Sequence, residues 1–248
     1  MNGFPSLEPI MFMTRLTFSR HLQTLLLGAT LGLALPITAQ ADLASISNKE
    51  AGAGLKEALV RGAELAVAQL GKPDGFLGNP QVKIPLPESL QKVEKLGRTL
   101  GLGKQADELV DTMNRAAESA VVEAKPLLVN AVKNMSVKDA KDILAGPPDA
   151  ATQYFRRTTS EQLSQKFQPI VSKATAKVQL TDKYNAFAGK AAKLRLIEEK
   201  DANLDSYVTQ KAMDGLFLMI AEQEKQIRQD PIGSGSNLLK KVFGALGK

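Results

Sequence analysis

"MNRAAESAVVEAKP", residues 113–126, decides how this chain is read. Asn114 and Glu118 stand four apart, so in a helix they share a face, and Arg115 lies beside them. The alanines at 116, 117, 120 and 124 leave room for a neighbouring helix to come close. Working back to about Gln105, the residues Leu109, Val110, Met113, Ala117, Ala120, Val121 and Ala124 hold a helical period, and Pro126 forces a kink or restart. A polar pair set among small residues predicts an interhelical hydrogen-bond network, with a polar ligand site as the functional alternative.

The same period runs outward in both directions. "SNKE" at 47–50 reads as a capping box, and Leu55, Leu59, Ala63, Val67 and Leu70 carry a helix that Gly71 and Pro73 stop. "GKPDGFLGNPQVKIPLP", residues 71–87, is too rich in glycine and proline for helix and predicts an ordered loop that carries Phe76, Leu77 and Ile84 inward, acting as a clasp more readily than as a ligand lid. "SVKDAKDILAG" predicts a short helix with Ser136 as cap and Gly146 as stop. A helix starting at "PPDAATQYF" is expected to break near Thr158 and Thr159, and Pro169 further on to bend it. The last long helix, about 204–230, is expected to bury Leu204, Val208, Ala212, Leu216, Met219 and Ile220, with Ile227 as a further candidate.

These elements predict an all-α fold: a single irregular bundle of eight to ten helices with a long C-terminal helix and a short amphipathic tail. The expected organisation is a signal peptide at 1–41, a helical bundle domain at 42–231 and a tethered tail at 232–248. The composition agrees, since 44% of the chain is hydrophobic but only 5% aromatic, and tryptophan is absent. Such a core must come from Leu, Val, Ile and Ala, which suits helices better than sheets.

The N-terminal segment fits export. Arg15, Arg20 and His21 precede the apolar run "LQTLLLGATLGLALPI" at 22–37, and "AQA" at 39–41 supplies a small-residue cleavage site after Ala41. The run is about 16 residues, below the roughly 20 that a spanning helix needs. Translation starts at Met1, Met11 or Met13; "MNGFPSLEP" puts an acidic residue and prolines where export signals have neither. The expected location is therefore the periplasm, with no transmembrane segment in the mature chain.

Composition also narrows the chemistry. Cysteine is absent and the one histidine, His21, leaves with the signal peptide. Cys/His zinc sites, Ser-His-Asp and Cys-His nucleophile systems and imidazole acid/base work all require residues that the mature chain lacks. No metal and no cofactor is expected. A net charge of +6 comes from basic residues spread among acidic ones, which argues against a nucleic-acid stripe. "GRTLGLGKQ" at 97–105 has the wrong glycine spacing for a phosphate loop and Gln105 where the metal-binding hydroxyl belongs. Ser89 and Lys92 form an S-x-x-K without its companion motifs.

What remains are the speculative ligand- or partner-binding residues Asn114, Arg115, Glu118, Tyr154, Arg156, Glu222 and Arg228. Glu224 and Arg228 have the i, i+4 spacing of a surface ion pair. Glu222, next to the apolar run "LFLMIA", is the carboxylate expected to be partly buried, with Arg115, Arg156 or Arg157 as its partner. Tyr154 with Arg156 suits an anion or a sugar ring, although core packing is the more usual role of such a tyrosine. The tail "NLLKKVFGALGK" sets Leu238, Leu239, Val242 and Phe243 against Lys240, Lys241 and Lys248; it can dock on its own bundle, on a partner groove or weakly on a membrane.

Taken in order, "GF" at 75–76, "KIPLP" at 83–87, "MNRAAE" at 113–118, "ILAG" at 143–146, "YF" at 154–155, "GLF" at 215–217, "IAEQEKQIRQDP" at 220–231 and "LLKKVFG" at 238–244 resemble the exported bacterial proteins of domain-of-unknown-function family 4197. The resemblance spans roughly residues 45–245 and implies a mainly helical periplasmic or outer-envelope protein without an assigned activity. The function expected is a non-catalytic binding or scaffold protein of the envelope, whose partner is an envelope protein or a small ligand. The alternatives are a carboxylate-dependent hydrolase of an envelope glycan and a membrane-surface-associated envelope stabiliser.

Overall fold

In the computed structural model the described residues are 48–88, 91, 103–178, 181–182, 184–185 and 203–230. They contain six helices: α1 (Asn48–Leu70), α2 (Gly103–Val121), α3 (Ala124–Lys133), α4 (Val137–Ala145), α5 (Ala150–Thr175) and α6 (Leu204–Gln229). The fold is all-α. The signal peptide, the Ser47 cap, most of the helix expected from Pro87 to Leu100 and the tail at 232–248 lie outside the described residues.

Helices α5 and α6 pack side by side, α2 lies against both, and α1 covers α6 and α3. Phe155 and Phe167 of α5, Phe217 of α6, Met113 of α2 and Leu128 of α3 fill the centre. Alanine sets the spacing: Ala63 and Ala66 of α1 and Ala116, Ala117 and Ala120 of α2 are all buried. With so few aromatic residues, the core fills by bringing helix axes together. On the face expected to be buried in the last helix, the residues from Leu204 to Ile220 are buried and Ile227 is half-buried.

The helix ends follow local chemistry. The helix is interrupted at Val122–Glu123, so Pro126 falls in the first turn of α3, where no intrahelical donor is needed. Ser136 caps α4 through a box with Asp139: the Asp139 N–H donates to Ser136 Oγ at 3.1 Å and the Ser136 N–H to Asp139 Oδ2 at 3.1 Å. Asn203 caps α6 by accepting from the N–H groups of Asp205 and Ser206.

The break expected near Thr158 and Thr159 is not there; α5 runs unbroken through both and through Pro169. The reason is that three successive hydroxyls bond back within the helix. Thr158 Oγ1 donates to Tyr154 O (2.8 Å), Thr159 Oγ1 to Phe155 O (2.7 Å) and Ser160 Oγ to Arg156 O (2.6 Å). Polar side chains satisfied one turn back do not compete with the helix. Segment 71–87 is irregular, as expected, and "QVKI" forms no strand.

Candidate functional site

Segment 71–87 leaves α1 through tight turns. Gly71 N–H bonds to Val67 O at 2.8 Å and Gly75 N–H to Lys72 O at 2.9 Å. Asp74 has φ 63°, a left-handed conformation that Asp tolerates better than most residues. The segment then buries Phe76, Val82, Ile84 and Leu86. Phe76 sits against Gly215 of α6, where a Cβ would approach its ring to 2.7 Å. A buried loop has backbone groups that neither helix nor water satisfies, so partners must come from side chains.

Helix α2 supplies them. Fully buried Asn114 accepts from Ile84 N–H at 2.8 Å through Oδ1 and donates to Ile84 O at 2.9 Å through Nδ2. Its second amide hydrogen goes to Val110 O at 2.8 Å. The side chain pairs with both polar groups of one residue, as a neighbouring strand would. One turn on, buried Glu118 accepts from the N–H groups of Phe76 (3.1 Å) and Leu77 (3.2 Å) through Oε1. Its Oε2 accepts from Arg115 Nη1 at 2.8 Å, and Arg115 Nη2 reaches Asp74 Oδ1 at 2.7 Å. Hydrogen bonds to Glu118, then Asp74, raise the Arg115 pKa above its ordinary value. From the other side, Tyr207 OH of α6 donates to Pro85 O at 3.0 Å.

A second buried carboxylate works the same way 106 residues further along the chain, at Glu224. Asp149 occupies the N-cap position of α5 but makes no capping bond with its side chain. Glu224 of α6 caps α5 instead: Oε1 accepts from Ala151 N–H at 3.0 Å and Oε2 from Thr152 N–H and Oγ1, both at 2.9 Å. Arg228 closes the set, donating to Glu224 Oε1 through Nε (3.1 Å) and Nη2 (2.8 Å), and to Ile143 O of α4 at 3.1 Å. Convergent backbone N–H groups at a turn and at a helix N-terminus are general anion sites. In this molecule each is filled by one of the protein's own carboxylates.

This geometry corrects three expectations. The bonds of Asn114 and Glu118 run to the 71–87 segment and not to another helix, because the adjacent alanines already fill the helix contacts. Glu222 is half-buried, as expected, but Glu224 is buried, so the Glu224–Arg228 pair expected at the surface is an inner one. The arginines expected beside Glu222 are engaged elsewhere: Arg115 as above, Arg156 with Asp214 at 3.4 Å and Arg157 with Asp139 at 3.5 Å. Tyr154 is buried and its OH donates to Ala131 O at 2.8 Å, while burial pushes its pKa up. Arg156 lies over the Phe217 ring at 4.6 Å. The tail residues Leu238, Leu239, Val242 and Phe243 lie outside the described residues.

Sequence reasoning missed Asp74, Thr152 and the capping role of Glu224. A signal existed for part of the last: a helix that opens with Pro-Pro-Asp and then Ala-Ala has first-turn donors to satisfy, and Glu224 lies one turn beyond Ile220 on the buried face of its helix.

A polar groove of about 430 Å³ runs between α2 and the end of α5, with Glu108, Asp111, Arg115, Ser119, Lys173 and Lys177 among its walls. Among the described residues no three His, Cys, Asp or Glu side chains gather as metal ligands would, and no helix is long and apolar enough to cross a membrane.

Among the described residues, segments that carry the family resemblance meet in space: "GF" packs on "GLF", "KIPLP" pairs with "MNRAAE", and Glu224 and Arg228 hold the helix of "YF" and Ile143 of "ILAG". No curated protein and no solved structure is significantly similar to the chain. The family model described as "protein of unknown function (DUF4197)" matches residues 45–244, and the chain belongs to that family.

Proposed function

We propose that this protein is a non-catalytic binding or scaffold module of the bacterial cell envelope, working in the periplasm after residues 1–41 are removed. The observation that carries the reading is that both buried carboxylates are saturated. A general acid or base needs an oxygen directed at substrate. Glu118 and Glu224 each turn both oxygens to backbone N–H groups, a hydroxyl or an arginine. Their chemistry is spent on shape, which supports a module that presents a surface. The polar groove beside Arg115 is the face offered to a ligand or partner, with cations and anions from two helices within one concavity.

The test begins with the full-length gene in a bacterial host and mass spectrometry of the osmotic-shock fluid under native conditions. The expected species is the chain starting at Asp42, carrying a bound molecule or protein that Lys173→Ala/Lys177→Ala loses. An unprocessed chain retained in the cytoplasm would sink the location. Release of soluble fragments from isolated cell-wall sacculi by the wild type but not by Glu118→Gln would replace the scaffold reading with the hydrolase.

A further inference from the structure

Among the described residues an apolar groove lies open at one end of the bundle. It encloses about 290 Å³ between the N-terminal part of α1 and the α3–α4 corner, with Ala51, Ala53, Met135, Val137, Ala140 and Leu144 among its walls. Val137 is 69% exposed, the most exposed large apolar side chain among the described residues. An apolar surface of this kind is costly to leave in water.

The course of α6 indicates what covers it. Leu70, at the end of α1, abuts Gly75, and the next residue, Phe76, packs on Gly215 of α6. Gly62, two turns back along α1, faces Gln223 and Ile227. So α6 runs antiparallel to α1, from its C-terminal end toward its N-terminal end, where the groove lies. Arg228 then bonds to Ile143 O, one residue before the groove residue Leu144. From Gly62 to Ala53 is about 14 Å along a helix axis. Residues 231–237 span up to about 23 Å when extended, and they include the glycine–serine run "IGSGS". Next in the chain comes the segment whose helical pattern places Leu238, Leu239, Val242, Phe243 and Leu246 on one face and the lysines opposite.

We propose that the α1–α4 groove is the seat of the chain's own C-terminal segment, residues 238–246, docked through that apolar face. The lysines of the segment then point to water, away from Lys56 and Lys141 of the groove. Because the protein has no cysteine, paired cysteines give a clean test. Val137→Cys is combined with Leu239→Cys, Val242→Cys or Phe243→Cys, and separately with Lys240→Cys or Lys241→Cys. A parallel series replaces Val137→Cys by Leu218→Cys, an exposed position on α6.

Intramolecular disulfide formation, read by intact mass after mild oxidation, is expected at least tenfold faster for the apolar-face partners of Val137→Cys than for the lysine positions or for any Leu218→Cys pair. Ala53→Glu, at an exposed groove position, should slow it tenfold while the thermal melt stays cooperative. Equal rates at all tail positions, or no disulfide in a chain that melts cooperatively, would overturn the proposal. So would disulfides formed only between two chains, or sedimentation of the wild type with anionic phospholipid vesicles that is lost on deleting 233–248, since either gives the segment another occupant.

Discussion

The Asn114–Glu118 clasp and the Glu224–Arg228 clasp use the same chemistry on different objects. The first holds a segment whose own hydrogen bonds are those of short turns, so side chains stand in for a neighbouring strand at the buried residues the turns leave open. The second holds a helix that is already bonded internally and lacks only its end. In the first clasp the arginine is half exposed, at 47%; in the second it is 20% exposed and also ties down α4. An irregular segment thus needs many weak fixings spread along it, whereas a helix needs one strong fixing at a terminus. Removing a member of each clasp should therefore fail differently.

The largest effect is expected at Glu224. Glu224→Ala removes the buried carboxylate that the first donors of α5 and Arg228 share, and breaking such a buried pair costs about 3–5 kcal/mol, read as unfolding free energy in urea. Asn114→Leu keeps shape but orphans both backbone groups of Ile84, for a loss of about 2–3 kcal/mol. The comparison is sharpened by limited proteolysis: Asn114→Leu should admit cleavage within 71–87 at denaturant concentrations where Glu224→Ala, if still folded, does not. Equal cleavage in both variants would mean that the two clasps form one cooperative unit.

Gly215→Ala comes next, at about 1–3 kcal/mol, because its methyl would press on the Phe76 ring and on Val82. Gly215→Ala with Phe76→Leu should recover part of that loss, which a thermal melt would show.

The smallest effect is at the start of α4. The side-chain bond from Ser136 holds the Asp139 carboxyl below its ordinary pKa of 3.8. A folded pKa below the unfolded one gives stability that is present above about pH 4 and lost as the pH falls through the folded value. The stability gap between wild type and Asp139→Asn should therefore be full at pH 6 and shrink toward pH 2. A gap that stayed constant would mean that the charge contributes nothing.

The helical frame was legible because apolar periodicity and cap residues are local: Ser136, Gly146 and the 204–230 face all read directly from the sequence. The site was legible in part. Asn114, Arg115 and Glu118 stood out as polar residues among alanines, and their target, the 71–87 segment, stood out as an ordered loop. What joined them was not readable, since a side chain's partner 30 to 42 residues away is a product of packing. Glu224 misleads for a related reason: an i, i+4 pair looks the same whether its outer side meets water or a helix terminus. The run Thr158–Ser160 misleads through composition, because hydroxyl residues can either end a helix or bond back into it.

The spacing of the two clasps along the chain also sets an order of assembly. The bonds from α2 to the 71–87 segment close loops of 30 to 42 residues and can form once residue 118 is available. The cap on α5 waits for residue 224, more than 70 positions after the turn it completes. A chain that gains its residues from the N-terminus can therefore make the α2 bonds to the 71–87 segment early, while the contacts of that segment with Tyr207 and Gly215 and the first turn of α5 both wait for α6, so the last contacts to form decide whether the bundle closes.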